Sequence, residues 1–305
     1  MFHFRNALAT LSRTLPQFRG KGPLGVGVGR LLTDIESNED CITTIKMKDG
    51  TLMRVDIRSI TERWAYWTGD YDQEVISRLA SCLQKQSVVF DVGANIGFYS
   101  IALGNKLAAL EGKLHAFEPV RSNFDRLVWC VEANGLEGTV SAHNVALGDE
   151  EGTIEMFMAN DDNAITGNAV LMKGRVPQEN YSQGNASSPI TTLDAFVQEK
   201  QITACHLIKV DVEGAEVMFL RGGIGFLSKH RPIIYGEFNP YWLNQFGHSF
   251  VDVGNIVQPW DYRLFKQVKH KRFTEFTRPE VGIENVLMCP SETPDATLAE
   301  LGVLM

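Results

Sequence analysis

The chain has 305 residues, 44% of them hydrophobic and 22% charged, with a formal net charge of −8 at pH 7. Those proportions suit a soluble globular enzyme, the negative charge argues against phosphate-backbone binding, and no apolar run approaches the roughly 18 residues of a membrane span. Five scattered cysteines (Cys41, Cys82, Cys130, Cys205, Cys289) form no C-x-x-C pair, which argues against a disulfide framework or zinc site and points to a reducing, cytoplasmic setting.

In chain order, residues 1–33 carry Arg5, Arg13, Arg19, Lys21 and Arg30 before the first acid, Asp34. Such a start resembles a transit peptide or a helix in peripheral contact with a membrane surface. The plainer expectation is an ordinary helix followed by a mobile glycine-rich piece at Gly20–Gly29, and no secretory apolar region is present. Two β-rich runs, Ile42–Met47 and Thr51–Ile57, flank Asp49-Gly50 and predict a hairpin. Asp72 is the expected N-cap of a helix that places Val75, Ile76, Leu79, Ala80 and Leu83 on one face.

From residue 86 strands and helices alternate. Strand 87–92 leads to helix 97–108, and strand 113–117 to a helix from Ser122 to Asn134 stopped by Gly135. A strand at 139–145 and an extended segment at Gly152–Met158 precede a loop at 159–188. Helix 192–200, strand 205–211, helix 214–221, strand 232–238 and β-rich runs at 262–267 and 284–289 complete the pattern. It predicts an α/β, Rossmann-like sheet, mostly parallel with an antiparallel edge strand and helices on both faces. The expected divisions are a basic and β-hairpin extension at 1–69, the main domain at 70–292 and a tail at 293–305.

The most informative stretch is Val88–Ser100, a buried strand, a glycine turn and a helix start, the usual ligand position in such a sheet. A pyrophosphate-binding loop reads G-x-G-x-x-G, but Asn95 stands where its second glycine would be, and Asp91 would repel phosphate. S-adenosylmethionine (SAM), which carries an ammonium, a sulfonium and a ribose diol, suits the loop better. Glu118, about 20 residues past Gly97, ends the second strand, where a carboxylate can accept both ribose hydroxyls. Asn144 ends the third strand and is placed to bond adenine or to begin a turn. In Lys209-Val210-Asp211-Val212-Glu213 three charges share one side of a strand end, and Glu237 ends the neighbouring strand. His115 and His206 are expected to be satisfied within the sheet, and His248 is the one histidine to test as a base. Trp64, Tyr66, Trp67 and Tyr71 either cap an acceptor pocket or pack the extension onto the domain.

Phe90–Ser100, Phe117-Glu118-Pro119, Thr192-Leu193-Asp194, Ile208–Glu216 and Gly236-Glu237 together resemble the FkbM-family SAM-dependent methyltransferases, over roughly residues 70–290. The resemblance implies a class I methyltransferase fold, SAM as donor and a hydroxyl acceptor on a sugar, glycolipid or polyketide-like product. It implies that Asp91, Gly93, Ala94, Asn95, Gly97 and Glu118 bind SAM and that the Lys209–Glu213 strand end lines the acceptor site. Methyl transfer to an alcohol needs alignment and a proton acceptor, for which Asp211 is the first candidate and Glu237 the second, with Lys209 orienting Asp211. A metal held by Asp211, Glu213 and Glu237 is the lesser alternative to a metal-free site. Competing readings are a nicotinamide oxidoreductase and a non-catalytic SAM-binding protein.

Overall fold

The computed structural model describes residues 2–15, 20–32, 41–159, 169–171, 181–277 and 285–304. Helices α1 (Phe2–Thr14) and α2 (Lys21–Leu32) precede the hairpin of β1 (Ile42–Lys46) and β2 (Leu52–Asp56), then α3 (Ile60–Thr68) and α4 (Gln73–Ser81). Next come β3 (Val88–Val92), α5 (Phe98–Ala109), β4 (Lys113–Phe117), α6 (Arg121–Ala133) and β5 (Val140–His143). After β6 (Ala146–Gly148), β7 (Gly152–Ala159), β8 (Ala169–Leu171) and β9 (Tyr181–Thr192), the chain returns through α7 (Leu193–Glu199) to β10 (Leu207–Val210). It then forms α8 (Glu216–Gly222), α9 (Ile224–His230), β11 (Ile233–Glu237), α10 (Pro240–Gln245) and α11 (Phe250–Val257). The last elements are β12 (Tyr262–Val268), β13 (Arg272–Phe276), β14 (Asn285–Pro290) and α12 (Asp295–Glu300).

Eight strands form the central sheet in the order β13-β12-β14-β11-β10-β3-β4-β5. The five from β11 to β5 run parallel, and β14, β12 and β13 pair antiparallel. The antiparallel part is thus three strands rather than one edge strand; the unexpected one, β13, has a half-polar run, Arg272-Phe273-Thr274-Glu275-Phe276, in which Phe273 and Phe276 are the buried residues. Along β3 the side chains alternate between two hydrophobic clusters, Val89 facing one and Phe90 the other. Both faces are covered, so the central strands read as nearly continuous apolar runs.

The chain winds from β3 outward to β5, then re-enters on the other side of β3 as β10. This reversal opens a crevice at the C-terminal ends of β3 and β10, the switch point where ligands bind in such sheets. A second sheet, β6-β9-β7-β8, stands beside the first. Its strand β9 begins at Tyr181, so the end of the expected 159–188 loop is strand; residues 160–168 and 172–180 of that loop lie outside the described residues.

The extension shares its packing with the sheet. Ile45, Met53, Val55, Tyr66 and Trp67 belong to the same cluster as Val89, Leu114 and Leu207. Tyr66 and Trp67 therefore pack the core, while Trp64 and Tyr71 face cavities. The glycine-rich run is helical instead of irregular, because α2 lies directly on α3. A Cβ on Gly22 would fall 2.2 Å from the Trp64 ring, and one on Gly25 would fall 2.5 Å from Trp67.

Arg5 and Lys21 are buried, Arg13 donates to the Tyr66 carbonyl at 2.6 Å, and Lys21 donates to that of Leu15 at 2.8 Å. Arg5 and Lys21 are thus enclosed by the protein, and Arg13 lies half-buried against α3. Arg19, whose charge also entered the membrane expectation, lies outside the described residues. Among the described residues no helix is long and apolar enough to cross a membrane.

Asp72 does stand at the N-cap position of α4, where its carbonyl accepts from the Ile76 N–H at 3.0 Å, but its side chain does not cap the helix. It sits in the left-handed region (φ 51°) without a side-chain cap bond; instead it accepts from the Tyr99 hydroxyl at 2.7 Å and pairs with Lys271 at 2.8 Å. At the other end of the chain, Leu298, Leu301 and Val303 are buried, and Val303 bridges to Phe273.

Candidate functional site

The glycine loop follows β3 because the backbone must turn sharply and pass beneath the end of β10. Gly93 has φ 76°, and a Cβ there would lie 1.8 Å from the Asp211 carbonyl oxygen, so only glycine fits. Its N–H and that of Ala94 both donate to the Phe117 carbonyl, at 3.0 and 2.9 Å. Asn95 occupies the left-handed region at φ 51°, where asparagine is tolerated better than most residues. The Asn95 N–H donates to Glu118 Oε2 at 2.8 Å, and that of Val120 donates to Oε1 at 2.9 Å. The Glu118 carboxylate is thus held through both oxygens by backbone donors and by the Asn123 side chain as a third donor, which leaves it one further acceptor position for a ligand.

Beneath the loop lies a charged knot. Lys209 Nζ donates to the Gly93 carbonyl at 2.7 Å and stands 3.4 Å from Asp91 Oδ1 and 3.7 Å from Asp211 Oδ2. It also sits 5.4 Å from the centre of the Tyr99 ring. Burial opposes its charge, but Asp91, Asp211 and Glu118 outweigh that and raise its pKa. Asp91 is fully buried and accepts from the Ser100 hydroxyl at 2.6 Å.

A cavity of about 240 Å³ at the crevice is lined by Gly93, Ala94, Asn95, Glu118, Lys209, Asp211, Glu213 and Glu237, together with Thr61, Glu62, Tyr71 and Tyr99. A wider cavity of about 720 Å³ shares Thr61 and Tyr71 with it and includes Trp64 and Lys271.

Three expected cofactor contacts do not reach the cavity lining. Asp91 is enclosed under the loop and neutralised by Lys209, because a strand-end acid pointing into the sheet needs a counter-charge. Gly97 packs against Leu127, where a Cβ would fall 2.6 Å from Cδ1. The Asn144 amide donates to the carbonyls of Glu118 and Pro119, both at 2.9 Å, bracing that turn. Nor does His248 line the cavity; it lies near Arg221, Asp252 and Asp149. His206 Nδ1 accepts from the Val88 N–H at 3.0 Å, and His115 Nδ1 stands 3.1 Å from His143 Nε2.

The four candidate catalytic residues, Lys209, Asp211, Glu213 and Glu237, do come together. The Asp211 side chain is 34% exposed, open enough to meet a ligand. Glu213 stands at φ 50° on the turn after β10; burial, then Asp211, Glu237 and Glu216, push its pKa up to about 8. Glu216, also buried, braces that turn by accepting from the N–H groups of Val212 (3.2 Å) and Gly214 (3.1 Å). Burial raises Glu118 to about 7 despite its two backbone donors and Lys209. Among the described residues no group of three or more His, Cys, Asp or Glu side chains is arranged to hold a metal ion.

Glu62 escaped the sequence reading. Ser59-Ile60-Thr61-Glu62 reads as an ordinary capping box, in which the glutamate would turn back to the helix start. Here the Ser59 side chain does accept from the Glu62 N–H, but Glu62 Oε2 accepts from the Asp56 N–H (2.6 Å) and from Arg126 Nη1 (2.5 Å). Burial raises its pKa to about 7, against the pull of Arg126.

The sheet order, the switch point and a cavity at the strand ends define a Rossmann-like, class I methyltransferase fold. More particularly, the chain belongs to the family described as the methyltransferase FkbM domain, which matches residues 91–264, more than half of the chain. It is 26% identical over 173 residues to hexuronic acid methyltransferase AglP of Haloferax volcanii, covering 57% of this chain and 65% of that protein. It is 27% identical over 151 residues to methyltransferase 1 of Beauveria bassiana, covering 45% and 58%. The chain thus spans less than two thirds of the length of either relative. A solved FkbM methyltransferase from Methylobacillus flagellatus aligns with a TM-score of 0.45 at 16% identity, over 77% of this chain and 55% of that one.

The residues present fit SAM. Gly93, Ala94 and Asn95 line the cavity, Glu118 keeps an acceptor position beyond its three protein donors, and five lining acidic side chains face a single lining ammonium.

Proposed function

We propose that the protein transfers a methyl group from SAM to a hydroxyl of a sugar, glycolipid or polyketide-like acceptor, with a sugar-type acceptor favoured. One observation carries this reading: Gly93–Asn95 and Glu118 share a cavity with Asp211, Glu213 and Glu237. Bound SAM would supply an already activated methyl group, so the protein's tasks are alignment and proton removal.

Glu118 receives a ribose hydroxyl through the acceptor position its protein donors leave open, and the Gly93–Asn95 backbone carries the rest of the donor. Lys209 is a positioning residue, tying the Gly93 carbonyl to the strand end that bears Asp211. Asp211 accepts the acceptor's hydroxyl proton, and Glu237 and Glu213 hold neighbouring hydroxyls. An acid-rich lining with a single ammonium favours a cationic sulfonium and disfavours a further anionic group, which points to a neutral hydroxyl. The similarity to a hexuronic acid methyltransferase supports a sugar-type acceptor. Residues 70–292 form the catalytic unit, with 1–69 as an extension over it and 293–305 as a tail.

Titration calorimetry with SAM tests the assignment, followed by transfer of labelled methyl to a panel of neutral sugars. Saturable binding is expected; no heat with SAM alongside clear binding of NAD would remove the reading.

A further inference from the structure

We infer that Glu62, supplied by the extension, is a second carboxylate of the cofactor half of the site and accepts a hydrogen bond from a ribose hydroxyl. The inference rests on the SAM reading of the cavity and concerns a residue outside the matched segment 91–264.

Glu62 is 1% exposed and lines the cavity beside Thr61. Its two oxygens have different fates. Oε2 is saturated by the Asp56 N–H and Arg126, whereas Oε1 is buried with no hydrogen-bond partner in the protein. A buried carboxylate oxygen left without a donor is costly, so native sites leave one open chiefly where a ligand fills it.

The neighbours indicate which part of the ligand is meant. Arg126 Nη2 donates to Asn123 Oδ1 at 2.8 Å, and Asn123 in turn bonds the Glu118 side chain. Glu62 and Glu118 are therefore the two ends of one chain of polar side chains, through Arg126 and Asn123. The carboxylate assigned to the ribose is locked to the one that lacks a donor. A ribose presents two adjacent hydroxyls, and Glu118 already accepts from Asn95, Val120 and Asn123. A second acceptor at the same end of the cavity completes the pairing.

Glu62→Gln is a near-isosteric test. The donors from Asp56 and Arg126 fix the amide oxygen at the Oε2 position, which puts an N–H₂ where the open acceptor stood. Calorimetry would compare S-adenosylhomocysteine with 5′-methylthioadenosine, which keeps the ribose and lacks the amino-acid end. The variant should bind both about ten- to a hundredfold more weakly, as expected for losing a hydrogen bond to a charged group. Unchanged affinity for both ligands, or a loss confined to S-adenosylhomocysteine, would overturn the ribose contact. Glu62→Asp keeps the charge toward Arg126 but shortens the reach, and should show the same parallel loss if Glu62→Gln fails to fold. If the wild-type protein binds neither ligand, the SAM reading itself falls; if it binds both and the variants bind equally well, only the role of Glu62 does.

Discussion

Lys209 and Asp91 form an ion pair sealed beneath the glycine loop, with Nζ 3.4 Å from Oδ1 and both side chains buried. Removing one member strands the other in a medium that solvates charge poorly. Lys209→Met should therefore cost about 3–5 kcal/mol of stability, read from urea unfolding. A loss below about 1 kcal/mol would mean that the pair contributes little to the fold.

Gly93→Ala joins two penalties at one position, a side chain at φ 76° and a Cβ placed 1.8 Å from the Asp211 carbonyl. The left-handed conformation alone costs about 1–2 kcal/mol. The clash must push the β3 and β10 ends apart, so affinity for SAM should fall along with the melting temperature. An alanine variant with wild-type affinity would mean that the two strand ends can separate without disturbing the pocket.

Glu118→Ala and Asp211→Asn should separate binding from chemistry. The first should weaken SAM binding markedly, since it removes the acceptor of two backbone donors as well as the ligand contact. The second should leave the dissociation constant nearly unchanged and lower turnover about 10²–10⁴-fold, the usual contribution of a general base. Full activity in Asp211→Asn would transfer the role to Glu237.

Stability should rise on mild acidification. Burial first, and neighbouring acids second, raise Glu213 to about 8, while burial lifts Glu62, Glu118 and Glu216 to about 7. An unfolded glutamate titrates near about 4.3, so over this range the folded state binds more protons than the unfolded one. Each group's contribution is complete below the unfolded value and is lost as pH climbs through 7 to 8. Melting temperature should increase as pH is lowered from about 9 to about 6, and Glu213→Gln should flatten part of that slope. A melting temperature that falls over the same interval would contradict the assignment.

Much of the sheet was legible because buried parallel strands announce themselves as short apolar runs closed by an acid or a glycine. Val88–Val92, Leu207–Val210 and Ile233–Glu237 all read that way, and their ends carry Gly93, Asp211 and Glu237 into one cavity. The sequence pattern does not tell which acids are ligands and which are internal counter-charges. Asp91 and Asp211 look alike in sequence and share a face, yet the register sets Asp91 opposite Lys209 beneath the loop, while Asp211 stands two residues beyond Lys209 at the open strand end. Glu62 was hidden for a related reason: its local context is a complete helix-start signal, and its partner Arg126 lies 64 positions away. Gly20–Gly29 misled because helix propensity ranks glycine low, whereas close packing on Trp64 and Trp67 demands it.

The lining of the crevice has two origins. Its floor comes from the strand ends, and one wall comes from Thr61, Glu62 and Tyr71, upstream of the segment shared with the family. Substitutions at Thr61 or Tyr71 can reshape what the pocket admits while Glu62 and the residues assigned to chemistry stay untouched, so selectivity and reactivity are free to diversify on separate stretches of chain.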